Sequence, residues 1–150
     1  MLVYMHTGGS IENDRKFAKL LTEANHRLLE TSEAQALIAT YQDDFIANLK
    51  AMDKLKIMEK NKKALDICDV VLIIGEPGFD GGALLGAAWQ ARIPTIVLQT
   101  GPMRAMTFHT LVDTWCSCEA GLLQCLTELE TENYLFREAT GKWLPKELLK

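Results

Sequence analysis

The stretch Val70-Val71-Leu72-Ile73-Ile74-Gly75-Glu76-Pro77-Gly78-Phe79-Asp80-Gly81-Gly82 decides the fold class. Its first five residues are all apolar and mostly β-branched. A strand with no polar face is buried on both sides, as in the middle of a parallel sheet. Gly75 ends the strand, and Glu76 to Gly82 reads as a glycine-rich loop. A small-residue helix is predicted from Ala83 to Ala91, and Pro94 to Leu98 supplies another buried strand that runs into Gln99-Thr100-Gly101-Pro102. Strand, loop, helix and strand make a βαβ unit, whose crossover is almost always right-handed.

Toward the N-terminus, Met1-Leu2-Val3-Tyr4-Met5 is a short apolar run that feeds His6-Thr7-Gly8-Gly9-Ser10. Ser10 then precedes a helical pattern with Phe17, Leu20, Leu21, Ala24 and Leu28 on one face, and Glu12 and Asp14 suit its first turn. Residues from Leu29 to Thr40 show no dominant period, which predicts a weak edge strand or irregular chain. From Tyr41 to Leu65 the residues Phe45, Leu49, Met52, Leu55, Met58 and Leu65 recur at helical spacing, so a long amphipathic helix is expected. Asn61 falls on the same stripe and points inward, where it needs hydrogen-bond partners. Thr114 to Cys118 suggests a last strand, and Ala120, Leu122, Leu123, Leu126 and Leu129 suggest a helix. The tail from Tyr134 to Lys150, with Phe136, Trp143, Leu144, Leu148 and Leu149, is too apolar for a free linker.

Residues 1–150 therefore read as a single α/β domain with a mostly parallel sheet. Three strands deliver their loops to one sheet edge, where open α/β proteins bind ligands. The 150 residues are enough for one real core, and 48% hydrophobic with 24% charged residues is ordinary globular composition. The net charge of −4 argues against nucleic acid as a partner. The lysines from Lys50 to Lys63 are interrupted by Asp53 and Glu59 and read as a solvated helix face. No apolar run approaches a membrane span and no leader is evident, so a cytoplasmic protein without a membrane partner is expected. Cys68, Cys116, Cys118 and Cys125 lack the spacing of a metal site, which leaves buried, reduced thiols. No cofactor is called for by any motif.

Val3-Tyr4-Met5 with the Gly-Gly-Ser loop, Ala64-Leu65-Asp66-Ile67-Cys68-Asp69-Val70-Val71-Leu72, Asp80-Gly81-Gly82-Ala83-Leu84-Leu85-Gly86-Ala87-Ala88 and Ile93-Pro94-Thr95-Ile96-Val97-Leu98 together resemble the nucleoside 2-deoxyribosyltransferases. The related N-glycosidases that hydrolyse deoxyribonucleoside 5′-monophosphates share this plan. The resemblance runs from residue 1 to residue 120, in the family's order. It implies a flavodoxin-like, Rossmann-like three-layer sandwich with a nucleoside or nucleotide across the strand ends. It also implies a retaining cleavage of the base–sugar bond, in which a glutamate attacks the anomeric carbon and an acid helps the base depart. A subunit neighbour that completes the pocket is a further implication.

The departures from the family carry as much information as the matches. The nucleophile's place, two before the glycine matched by Gly86, is Leu84, and aligning on Asp80 and Gly82 instead moves it to Gly86. Neither residue can attack a sugar. The place of a family aspartate eight before Asp69 is Asn61. Tyr4 matches the early aromatic that lines the sugar site. Glu76 and Asp80 are the carboxylates left for catalysis. Glu76 is a relocated nucleophile or a solvated turn residue, and Asp80 is a ligand for sugar hydroxyls or a helix N-cap. Gly8, Gly9, Gly81 and Gly82 let backbone N–H groups approach a ligand or simply make turns. Arg104 is a candidate phosphate contact.

Three functions follow as expectations. The first is a nucleoside- or nucleotide-binding protein that has lost catalysis, with ligand contacts from Tyr4, Gly8, Gly9, Ser10, Asn61, Asp80, Gly82 and Arg104. The second is an active glycosidase or transferase that uses Glu76 or Asp80. The third is an interaction domain that kept the fold and lost the pocket. Met103, Met106, Phe108 and the Trp143 tail predict a homo-oligomer, with a dimer as its smallest unit.

Overall fold

The structure is a computed structural model that describes residues 1–8, 10–29, 51–102 and 110–140. Among them, five strands form one sheet: β1 (Leu2–His6), β2 (Arg27–Leu28), β3 (Val70–Ile74), β4 (Thr95–Leu98) and β5 (Thr114–Cys116). The spatial order is β2-β1-β3-β4-β5 and every neighbouring pair is parallel. Helices α1 (Ile11–Glu23), α2 (Ala51–Ile67), α3 (Gly78–Ala91) and α4 (Glu119–Thr140) cover its faces. This is the flavodoxin-like α/β arrangement that the sequence predicts.

The two faces follow from the two-residue period of a strand. Val3, Val70, Leu72, Ile74, Ile96 and Leu98 pack on one face with Phe17 and Leu21 of α1 and Leu122, Leu126 and Leu129 of α4. Tyr4, Val71, Ile73 and Val97 point to the other, against Ala64 of α2 and Leu85 and Ala88 of α3. All five residues of β3 are at most 2% exposed, in keeping with the absence of any polar side chain in that segment. Two aspartates fix the strand starts from below. Asp69 accepts a 2.7 Å hydrogen bond from the Leu2 amide, and Asp113 accepts from the Thr95 amide at 2.8 Å and from its hydroxyl at 2.9 Å.

Several boundaries differ from the sequence expectations. Helix α1 ends at Glu23, with Asn25 at φ 62°, and Leu28 belongs to the short edge strand β2 instead of the helix face. Strand β5 stops at Cys116, and α4 continues through Thr140, so the start of the expected tail is helix. On α2, Asn61, Ala64 and Leu65 lie with Cys68 within about 100° of the helix circumference, whereas Leu55 is about 120° from Asn61. Leu55 is accordingly 47% exposed and does not belong to the inward stripe. Cys118 is also exposed, while Cys68 and Cys116 are buried. No helix of the described residues is long and apolar enough to cross a membrane. Residues Phe45 and Leu49, residues 103–109 and residues 141–150, including Trp143, lie outside the described residues.

Truncation of Leu72, fully buried at the sheet centre, should cost ~2–5 kcal/mol in the Leu72→Ala variant. Trp89→Ala, at a residue 51% exposed, should change stability by no more than ~0.5 kcal/mol. Urea unfolding of both variants checks the pair.

Candidate functional site

In the order β2-β1-β3-β4-β5 the chain leaves β1 in one direction, through α1 to β2, and returns on the other side as β3. The connections diverge above the β1 and β3 ends, and this divergence opens the crevice where such sheets take their ligands. His6 ends β1 and pairs in register with Ile73 of β3, so the two strands present their C-terminal residues side by side.

On the β1 side, Ser10 caps α1 and accepts a hydrogen bond from the Asn13 amide at 3.2 Å. The Thr7 hydroxyl donates to Asp14 Oδ1 at 2.5 Å, which turns this first-turn carboxylate toward the strand end. Gly8 has φ 66° and is exposed, so the loop passes through a conformation that favours glycine. Gly9 lies outside the described residues.

On the β3 side, Gly75 has φ 82°, and a Cβ there would stand 3.3 Å from Thr100 Oγ1. Helix α3 begins at Gly78, five residues before the predicted start at Ala83. Gly81 and Gly82 are therefore helical and not part of a loop. Pro77 occupies the N-cap without a side-chain hydrogen bond, and Asp80 sits in the first turn instead of capping. The Gly81 amide donates to the Pro77 carbonyl at 2.9 Å. A Cβ on Gly81 would lie 2.9 Å from Pro77 Cβ and 3.3 Å from His6 Cδ2. The absence of a side chain at Gly81 thus seats α3 directly on the His6 ring. Glu76 and Asp80 are exposed at the mouth.

His6 is the residue of the crevice that the sequence reading passed over. Burial pushes its pKa below the ordinary value, and the Asp80 and Asp14 carboxylates with the Pro77 carbonyl only partly counter this. The imidazole is therefore neutral at pH 7 and can donate one hydrogen bond and accept another. The available signal was the alternation along β1, since a residue two after Tyr4 must share its face.

Tyr4 and Asn61 come together deeper on that face. The Tyr4 hydroxyl donates to Asn61 Oδ1 at 3.2 Å, and burial raises the Tyr4 pKa, with a smaller contribution from Cys68. Asn61 thus has the inward partner that its place on the helix requires. Leu84 is half-buried and packs against the apolar layer that contains Tyr4, Leu85 and Ala88. Arg104 lies outside the described residues. A cleft of about 120 Å³ opens at the opposite sheet edge, between Thr95, Asp113, Cys125 and Glu128. Ligand pockets usually enclose ~300–1,000 Å³, and this cleft lies at the starts of β4 and β5, away from the strand-end loops.

No protein-family model and no curated protein matches the sequence. Solved structures do match the fold. A 2-deoxyribosyltransferase of the psychrotolerant bacterium Bacillus psychrosaccharolyticus, a biocatalyst for nucleoside synthesis, aligns with a TM-score of 0.63 at 11% identity over 82% of this chain and 90% of its own. A CMP N-glycosidase of Clostridium botulinum aligns with a TM-score of 0.53 at 12% identity over 85% of this chain and 99% of its own. At these identities the likeness is one of fold.

The packing at Gly81 yields a paired prediction. Gly81→Ala should destabilise the protein by ~1–3 kcal/mol through overpacking and shift the His6 ring resonances. Gly86→Ala, where an added Cβ meets nothing within 4 Å, should be neutral or stabilising by ~0.5–1 kcal/mol because it removes a helix-interior glycine. Denaturant unfolding and imidazole proton spectra of the two variants check this.

Proposed function

We propose that this chain is a nucleoside- or nucleotide-binding protein whose ligand lies across the ends of β1 and β3, and that it does not cleave the base–sugar bond by the glutamate route. What supports the binding reading is the grouping of His6, Thr7, Asp14 and Asp80 at the C-terminal ends of β1 and β3, the topological switch point of the sheet. The fold shared with two proteins that act on nucleosides or nucleotides supports this choice of ligand class. In this reading Ser10, Gly8 and Gly9 bring the start of α1 close to the ligand, where unpaired amide hydrogens attract phosphate or sugar oxygens. Tyr4 and Asn61 line the inner wall under the sugar, and Asp80 and Gly82 the wall formed by α3. Arg104 is assigned to a phosphate.

The loss of cleavage rests on Leu84. A side chain packed into the apolar layer offers no lone pair, and a retaining mechanism needs a carboxylate to form the glycosyl intermediate. His6, neutral at pH 7, assists by orienting the ligand.

A second reading, an active glycosidase or transferase, draws on the exposure of Glu76 and Asp80 at the same mouth. There Asp80 or Glu76 would attack the sugar. It predicts that Glu76→Gln or Asp80→Asn abolishes base release while the fold survives.

The deciding experiment pairs thermal unfolding with chromatography. Incubation with a panel of deoxynucleosides and their 5′-monophosphates should raise stability by ~2.7 kcal/mol when a ligand reaches a hundred times its dissociation constant. No free base should accumulate. Release of base that survives repurification and disappears in Asp80→Asn would establish the enzyme. A flat thermal response to the whole panel would defeat both readings.

A further inference from the structure

Three cysteines meet where β5 gives way to α4, on the side of the sheet away from the crevice strands. Cys116, the last residue of β5, is 5% exposed and belongs to the core layer beneath α1 and α4. Its Sγ lies 3.4 Å from Sγ of Cys125, which is half-buried on α4. Cys118 is exposed, and its Sγ accepts a 3.4 Å hydrogen bond from the Gly121 amide at the start of that helix.

We infer that Cys116 and Cys125 are a dithiol that a low-molecular-weight disulfide converts to an intramolecular disulfide, with Cys118 outside the bridge. A disulfide needs its sulfurs at ~2.05 Å. The present contact therefore has to close by ~1.4 Å, through χ1 rotation of the two side chains. The two residues are close because the chain between them, residues 117–124, turns from the end of β5 into the first turns of α4. The contact is thus fixed by the β5–α4 packing and not by a flexible approach.

The order of attack follows from exposure. The Cys125 thiolate attacks one sulfur of the external disulfide, forms a mixed disulfide and expels one small thiolate. Cys116 then loses its proton to solvent, its sulfur attacks Sγ of Cys125, and the second small thiolate leaves. Two protons and two electrons depart from the protein, and the external disulfide is reduced to two thiols. Burial, followed by the contact with Cys125, pushes the Cys116 thiol up to about 12, which makes Cys116 the poorer first nucleophile of the pair. The product ties the end of β5 to α4, and the Cys116 carbonyl already accepts the Gln99 amide at 2.8 Å. Oxidation thereby braces the segment that leaves β4 for the strand-end edge.

The test uses the full chain and glutathione disulfide as the probe. After incubation, acid quench, alkylation of remaining thiols and cleavage after Glu119, mass spectrometry should show a cross-link between the fragment carrying Cys116 and Cys118 and the fragment carrying Cys125. The intact Cys118→Ser protein, which lacks the exposed thiol that would itself take up glutathione, should be lighter by two hydrogen atoms. The cross-link should persist in Cys118→Ser, a change at an exposed position that leaves the core intact, and be lost in Cys116→Ser. Formation of mixed disulfides alone would overturn the inference. A cross-link that vanishes in Cys118→Ser and survives in Cys116→Ser would overturn it too, because Cys118 would then be the partner.

Discussion

Strand β3 has no solvent-facing side, and the rest of the molecule is arranged around that constraint. Its five residues are each at most 2% exposed, so helices must cover both faces and parallel strands must flank both edges. Covering both faces requires crossovers on opposite sides, α1 beneath the sheet and α2 and α3 above it. The chain then has to reverse its winding between β1 and β3, and the reversal leaves a gap at their C-terminal ends. The candidate site is therefore a consequence of how β3 is buried. Full burial of its Val, Leu and Ile side chains stabilises the fold by ~1.5–3 kcal/mol each.

Within that gap, a single steric fit links the two loops. Gly81 lets α3 approach until Pro77 and His6 are in contact with its backbone. His6 in turn stands at the end of β1 beside Asp14, which Thr7 holds by a short hydrogen bond. The loop after β1 and the loop after β3 are thus coupled through the imidazole. Burial keeps that ring neutral, and three carboxylates surround it or stand at the mouth. A folded-state pKa below the ordinary histidine value means that the unfolded chain binds a proton more readily. The stability His6 contributes is present above pH 6.5 and is lost as the pH falls toward its folded pKa.

The sheet was largely legible from the sequence, because strands buried on both faces must be continuously apolar. Val70 to Ile74 and Thr95 to Leu98 are such runs, and their order with the helices implies parallel pairing. Helix ends were less legible. Gly78, Gly81 and Gly82 carry turn chemistry, yet packing of α3 against His6 and the sheet holds them in a helix. Leu28 suits a helix face, but the turn at Asn25 delivers it to the sheet edge. Of the candidate residues, Ser10 caps its helix as expected, and Asn61 meets Tyr4. His6 was missed because His6-Thr7-Gly8 reads as a loop, although the strand continues through His6. Gly9, Arg104 and the aromatic tail near Trp143 belong to segments outside the described residues, and their roles remain those proposed from sequence.

The proposed binding of a nucleoside or nucleotide at the β1/β3 strand ends can be followed residue by residue. A titration of the isotope-labelled protein with deoxycytidine and deoxycytidine 5′-monophosphate, followed by amide NMR shifts, tests it most directly. A ligand seated there should give saturable shifts concentrated at His6 to Asp14 and Gly75 to Gly82, with the His6 ring among the largest. Shifts confined to Thr95, Asp113 and Glu128 at the opposite sheet edge, or none with either ligand at millimolar concentration, would contradict it.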